Sequence, residues 1–267
     1  MVLADAYDLV GFDLDGVIYR GPVAVPYAVE TIAELRRRGT KVGFVTNNAQ
    51  RGPGAVADHL TSLGIACTPD DVVTSAQATA RLMAAQLPPG APILTLGSAA
   101  LAAELMAVGL DPVRTRAANP VAICVGFDQD LRWADINEGC YAVQAGATWY
   151  ATNDDMTRPT DEGTAIGMGA VLKAMSVVLP GLAPIMGGKP ARALLDETVR
   201  RLGGTHPLFV GDRLDTDVEG AYNAGWDSLF VLSGAHTLAD LAAAPPEQHP
   251  TYIGDDVRAL LEPARRP

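Results

Sequence analysis

Short apolar runs closed by turn residues alternate with longer stretches of helical spacing over most of the chain. Leu9-Val10-Gly11-Phe12, bounded by aspartates and a glycine, predicts a buried strand. Val25 to Arg38 carries apolar residues at Val25, Ala28, Val29, Ile32 and Leu35, which predicts a helix stopped at Gly39. Lys41 to Thr46 is a second strand, and Pro53 to Leu63 a helix ended by Gly64. Asp71 to Thr74 is a third strand, with Ser75 as N-cap of a helix through Leu87. The order βαβαβα predicts a parallel, doubly wound sheet.

Pro88-Pro89-Gly90 interrupts that rhythm. Beyond it the pattern predicts a strand at Ile93 to Leu96, a helix at Ser98 to Val108, and a loose linker to Asn119-Pro120. A strand at Val121 to Val125, a helix at Trp133 to Ala145, a strand at Thr148 to Ala151 and a helix at Ile166 to Val178 follow. A second break runs from Pro180-Gly181 to Pro184. Residues 88–183 therefore read as an α/β domain inserted between residues 1–87 and 184–267. The first rhythm then resumes: a helix from Pro190 to Leu202, a strand at Pro207 to Val210, a helix over Val218 to Ala224, a strand at Ser228 to Leu232 and a helix from Asp255.

Composition narrows the possible functions. A net charge of −11 argues against a nucleic-acid partner, because phosphate neutralisation needs clustered Lys and Arg. A small phosphate ester remains open if the site is locally positive or holds a metal. Cys67, Cys124 and Cys140 have no ligand spacing and are too few for a disulfide framework, which points to a reducing compartment. The four histidines are scattered, against a zinc site. No basic segment precedes an apolar stretch at the start, and no apolar run is long enough for a bilayer. A cytoplasmic protein without a membrane partner is expected.

Chemistry gathers at the predicted strand ends. The first strand ends at Asp13 and Asp15, with Gly16 for the turn, and the second at Thr46 and Asn47. Gly187-Gly188-Lys189-Pro190 precedes a helix, and a late strand ends at Asp212, followed by Asp215 and Asp217. Singly each is ordinary: Asp15 as a cap, Thr46-Asn47-Asn48 as a turn, Lys189 as a solvated lysine. The Gly-Lys pair is no nucleotide P-loop, since Ala183 occupies the first glycine position and Pro190 that of Ser or Thr. A calcium loop from Asp215 fails at its twelfth position, Trp226. In an open α/β sheet, however, strand ends share one edge, where distant segments can meet. Together they suit phosphoryl transfer through an aspartyl-phosphate. Mg²⁺ would bridge the anionic nucleophile and the phosphate, and Lys189 and Thr46 would offset the remaining charge.

FDLDGV, FVTNN, GGKP and GDRLDTD, in that order, resemble the four motifs of the haloacid-dehalogenase (HAD) superfamily. The TNN form, the stretch Ala151 to Asp155 and the long insertion resemble its NagD-like branch. The resemblance implies a Rossmann-like core with an inserted α/β cap of the C2 type. It implies a Mg²⁺-dependent phosphatase acting on glycerol phosphate, phosphoglycolate, a sugar phosphate or a nucleotide monophosphate. Carried over, Asp13 is the nucleophile and Asp15 the general acid and base. Asp13, the Asp15 carbonyl and Asp212 hold Mg²⁺, and Asp217 supports them directly or through water. Thr46 and Asn47 bind phosphoryl oxygens, Lys189 steadies nucleophile and phosphate, and Gly16 gives room beside the nucleophile. Cap contacts to the leaving group would come from Asp128, Asp130, Arg132 and Trp133, or from Asn153, Asp154 and Arg158. The family also implies a homodimer through the cap. The competing reading is a non-catalytic protein that binds a phosphorylated metabolite or partner on the same fold.

Overall fold

A computed structural model describes residues 2–160 and 162–267. From the N-terminus, β1 (Leu9–Phe12) leads into a hairpin of β2 (Tyr19–Arg20) and β3 (Val23–Ala24), then α1 (Ala28–Arg37) and β4 (Lys41–Thr46). Next come α2 (Pro53–Ser62), β5 (Val72–Thr74), α3 (Ser75–Gln86), β6 (Pro92–Leu96), α4 (Ala99–Ala107) and β7 (Asp111–Val113). They are followed by β8 (Ala122–Val125), α5 (Trp133–Gln144), β9 (Thr148–Ala151) and a second hairpin, β10 (Thr157–Thr160) and β11 (Gly163–Ile166). After α6 (Met168–Ser176), β12 (Ile185–Met186) and α7 (Ala193–Leu202) come β13 (Pro207–Gly211), α8 (Glu219–Ala224) and β14 (Asp227–Val231). α9 (Leu238–Ala243) and β15 (Tyr252–Gly254) are the last of the series.

The chain divides into two compact units. The first comprises the residues up to Thr46, Pro53–Val73 and Lys189–Pro267. Its sheet has the order β15-β14-β13-β1-β4-β5, and β1 pairs in parallel with both β13 and β4. A strand with parallel neighbours and helices over both faces must be apolar throughout, and Leu9, Val10 and Phe12 are wholly buried. Val10 and Phe12 join Ile32, Leu35, Phe44 and Val210 in the principal core of this unit.

The second unit comprises Asn47–Gly52 and Thr74–Gly188. Its parallel sheet runs β12-β9-β8-β6-β7. The Pro88-Pro89-Gly90 break does not mark where the packing changes. Ala76, Ala80 and Met83 of α3 pack with Ile93, Leu101 and Tyr150, and Tyr150 donates its hydroxyl to Gln86 Oε1 at 2.7 Å. Buried apolar area outweighs the backbone punctuation, so α3 goes with the second unit and not with residues 1–87.

Local bonding also shifts several predicted bounds. The helix expected from Val25 starts at Ala28, because Val25 N–H donates to Ile18 O at 2.8 Å and Tyr27 adopts the left-handed region at φ 67°. Thr74, not Ser75, caps α3: its hydroxyl accepts Gln77 N–H while Gln77 Oε1 accepts Thr74 N–H, a reciprocal capping box. Ile166 lies in β11, so the following helix begins at Met168. The helix over Val218–Ala224 is preceded by a π-helical turn, Leu214–Val218, and the expected C-terminal helix is a 3-10 segment, Val257–Leu261. Among the unpredicted strands, β7, β12 and β15 are two or three residues long, too short to show a period.

Candidate active site

The ladder of β1 reaches one residue past the strand, where Asp13 N–H donates to Val210 O at 2.9 Å. The backbone then turns tightly, with Leu14 O accepting the N–H groups of Val17, Ile18 and Tyr19. Gly16 sits in this turn at φ 86°, a conformation that other residues adopt at a cost. The Asp13 side chain is thus presented at the carboxyl end of a central strand.

The neighbouring strand β13 ends at Gly211, and Asp212 follows it. The π-helical turn folds Asp217 back, so that its Oδ2 accepts the N–H groups of Asp212 and Arg213, both at 3.1 Å. Single π turns of this kind recur at functional sites. Asp217 Oδ1 accepts Lys189 Nζ at 2.7 Å, and the same Nζ donates to Asp13 Oδ1 at 2.7 Å. The Lys189 side chain is only 1% exposed and Asp13 15%. Nζ also stands 4.8 Å from the Phe209 ring centroid.

Three carboxylates, Asp13, Asp212 and Asp217, therefore surround one ammonium, with candidate ligand atoms all within 4.8 Å of one another. Burial pushes the Asp13 carboxyl well above its usual range; Lys189 opposes this, and Asp217 and Asp212 add to it. Burial and the Asp217 charge push Asp212 up to about 7. Burial pulls Lys189 down, but the Asp13 and Asp217 charges outweigh it and hold the lysine above its usual value. The cluster carries more negative than positive charge, the condition that a divalent cation relieves.

Asp212 Oδ1 gives the test of fit. It is buried and has no hydrogen-bond partner among the described residues, a costly state for a carboxylate oxygen. An all-oxygen set of carboxylates suits Mg²⁺.

The other predicted residues fall as follows. Asp15 is exposed on the turn, bridged to Tyr19, and Thr46 is buried at the end of β4. Asn47 is counted with the second unit, where its carbonyl accepts Ser75 Oγ at 2.6 Å and Asn153 Nδ2 at 2.8 Å. Its own Nδ2 donates to Asp155 Oδ1 at 3.4 Å. Asp128, Asp130 and Arg132 line a cavity of about 340 Å³ in the second unit, together with Arg114 and Asp135. Trp133 is 71% exposed rather than packed, and Arg158 lies over the Phe127 ring at 4.7 Å. Asp154 is exposed. A Cβ on Gly16 would meet Asp212 Oδ2 at 2.4 Å, so this glycine leaves room for the Asp212 carboxylate. Sequence reasoning missed Ala235, whose N–H donates to Asp212 Oδ2 at 2.6 Å. The signal was available: Ser233-Gly234-Ala235 is a run of small residues just beyond a strand.

Comparison with known proteins places the chain in a family. Residues 10–111 match the profile of the haloacid dehalogenase-like hydrolases, and residues 186–260 that of a HAD-hydrolase-like family. The D-glycerol 3-phosphate phosphatase of Mycobacterium tuberculosis is 44% identical over 263 residues, 98% of this chain and 73% of the relative. The 5′-nucleotidase YutF of Bacillus subtilis is 34% identical over 83% of this chain and 86% of its own. A crystal structure of glycerol phosphate phosphatase from Mycobacterium tuberculosis in complex with magnesium superposes with a TM-score of 0.94 at 44% identity, covering 97% of this chain and 78% of that one.

The chain belongs to the haloacid dehalogenase-like hydrolases, in their NagD-like branch. It is a Mg²⁺-dependent phosphoric monoester hydrolase acting on a small phosphorylated metabolite. No helix among the described residues is long and apolar enough to cross a membrane.

Proposed function

We propose that Asp13 is the nucleophile of this phosphatase and that its substrate is a glycerol phosphate. The observation that carries the nucleophile is the bond from buried Lys189 to Asp13 Oδ1 at 2.7 Å. A buried, doubly paired ammonium opposes the upward push of burial on Asp13 and points its oxygen, and its charge offsets that of an arriving phosphoryl group. An Asp13 oxygen attacks phosphorus while the ester oxygen leaves with a proton from Asp15. Asp15 then takes a proton from water, which attacks the aspartyl-phosphate and releases phosphate and free Asp13. Asp217 orients Lys189 through one oxygen and the backbone of Asp212 through the other. Asp13, Asp212 and the Asp15 carbonyl would hold Mg²⁺, which supplies Lewis-acid charge stabilisation at the phosphoryl oxygens. Thr46 and Asn47 bind those oxygens.

Glycerol phosphate is favoured over the nucleotide, sugar phosphate and phosphoglycolate by the likeness, over nearly the whole chain, to a D-glycerol 3-phosphate phosphatase. The second unit, which contains residues 88–183, acts as the cap, and Asp128, Asp130 and Arg132 are the leaving-group contacts that their shared cavity supports. The exposed apolar residues Val177 and Ile166 support a homodimer through this region, and the free cysteines a cytoplasmic setting. The binding-only alternative is not favoured, since the relatives are named as enzymes. Phosphate release from a panel of esters with Mg²⁺ tests the reading. Turnover by Asp13→Asn equal to wild type would remove the nucleophile, and a higher kcat/KM for another ester would remove the substrate.

A further inference from the structure

The Asp212 carboxylate is enclosed by two glycines from opposite ends of the first unit's sequence. A Cβ on Gly16 would come within 2.4 Å of Asp212 Oδ2, and one on Gly234 within 1.8 Å. Between them, Ala235 N–H donates to Oδ2 at 2.6 Å, and the next residue, His236, donates its N–H to Asp212 O at 3.2 Å. His236 Nδ1 then accepts Leu214 N–H at 3.0 Å, so one short turn grips the Asp212 segment at side chain, carbonyl and following backbone. The same turn is tied to the segment that carries Asp15: Ser233 Oγ donates to Gly16 O at 2.8 Å, and the Arg20 guanidinium donates to Ser233 O.

We infer that Ser233–His236 is a positioning turn: it fixes one orientation of the Asp212 carboxylate, with Oδ2 on Ala235 N–H and Oδ1 presented to the cation. This rests on the reading of Asp212 as a Mg²⁺ ligand. Aspartate χ2 is a broad torsion, so an untethered carboxylate would sample many orientations. Mg²⁺ demands near-ideal octahedral geometry and tolerates such sampling poorly. Outer partners that orient ligands are worth about 10–100-fold in metal affinity in other sites. The two glycines make the tether close enough to act, because any side chain there would displace the carboxylate itself.

The test is Mg²⁺ titration calorimetry on the full chain without substrate, comparing wild type with Gly234→Ala, Ser233→Ala and Asp212→Asn. Gly234→Ala should weaken Mg²⁺ binding by about 10–100-fold, and Ser233→Ala by roughly 3–10-fold. In both, kcat for p-nitrophenyl phosphate should recover as Mg²⁺ is raised, with KM at saturating Mg²⁺ unchanged. Asp212→Asn should abolish binding. Wild-type affinity in Asp212→Asn would overturn the ligand reading. Loss of binding in Asp212→Asn with wild-type affinity in both turn variants would overturn the positioning role alone. A lowered melting temperature with an unchanged Mg²⁺ constant would overturn it too. If Gly234→Ala does not fold, Ser233→Ala, which deletes a single hydroxyl, decides the matter.

Discussion

The two units are built from the same kind of sheet and diverge at the same place in it. In the first, the connections part on either side of β1 and β13; in the second, they part at β6 and β8. Such switch points leave a crevice beyond the strand ends, where ligands of open α/β sheets bind. In the first unit the strand ends there are followed by Asp13 and Asp212. In the second they are followed by Gly97 and Gly126, packed so closely that a Cβ on either would meet Leu101 Cδ2 at 2.9 Å. A Cβ on Gly97 would also lie 3.1 Å from Gly126 O. In one crevice the strand ends themselves carry the charge; in the other they are bare backbone, and charge comes from outside the strands, as where Arg114 Nη1 donates to Gly97 O at 2.9 Å. Architecture supplies the position, and the residue set at that position supplies the chemistry.

The largest effect should come from the charged strand ends. If Asp13 is the nucleophile as proposed, Asp13→Asn is expected to lower kcat by at least about 10³-fold, because an amide oxygen is a far weaker nucleophile than a carboxylate. Steady-state assays on the favoured ester measure this, and a loss below tenfold would contradict it. Lys189→Met should destabilise the fold by about 3–5 kcal/mol, since it leaves buried carboxylates without their partner. Urea unfolding is the check, and an unchanged midpoint would refute the pairing.

The pH dependence sharpens the contrast further. Asp212, raised to about 7, binds its proton more tightly in the folded than in the unfolded chain. Without metal, this group's contribution therefore favours the fold at low pH and is lost as pH rises from about 4 through 7. Asp13, raised in the same direction, adds to the slope. In EDTA the melting temperature should fall over that window, and saturating Mg²⁺ should flatten the fall. Equal slopes with and without Mg²⁺ would break the link between these carboxylates and the ion.

In the second unit, Asp128→Asn and Arg132→Ala should raise KM several-fold and change kcat less than about threefold, as expected of contacts to the leaving group rather than to the reacting atoms. A kcat loss as deep as that of Asp13→Asn would erase the distinction between the units. The smallest effect is expected at the amino end of β1. There Asp8 accepts Thr205 N–H at 2.8 Å and His206 N–H at 2.9 Å, and these bonds lower its carboxyl to about 2. Asp8→Ala should cost less than about 1 kcal/mol, because the group is exposed. The cost should vanish as pH falls from about 4 to 2, where the wild-type carboxylate is itself protonated.

Strong periodicity made much of the fold legible. Lys41–Thr46 and Thr148–Ala151 have the bounds their apolar pattern predicts, and the family resemblance drawn from the four segments holds. The hairpin of β2 and β3 was not legible, because two-residue strands carry no period. The unit boundary at Thr74 was not legible either. Pro88-Pro89-Gly90 is the louder signal in the sequence, whereas the packing of Ala76 and Met83 is visible only once the strands are in place.

The chain's order of residues determined which groups stand at the strand ends, because buried parallel strands must be apolar and must stop where charge begins. It thereby determined that acids at positions 13, 212 and 217 and a lysine at 189 share one sheet edge. Only the tertiary structure decided how they are paired: Lys189 on both Asp13 and Asp217, Asp217 on the Asp212 backbone, and Asp212 between Gly16 and Gly234. Those contacts join residues far apart in the chain, and distance in space follows from how the layers pack, which no local pattern encodes.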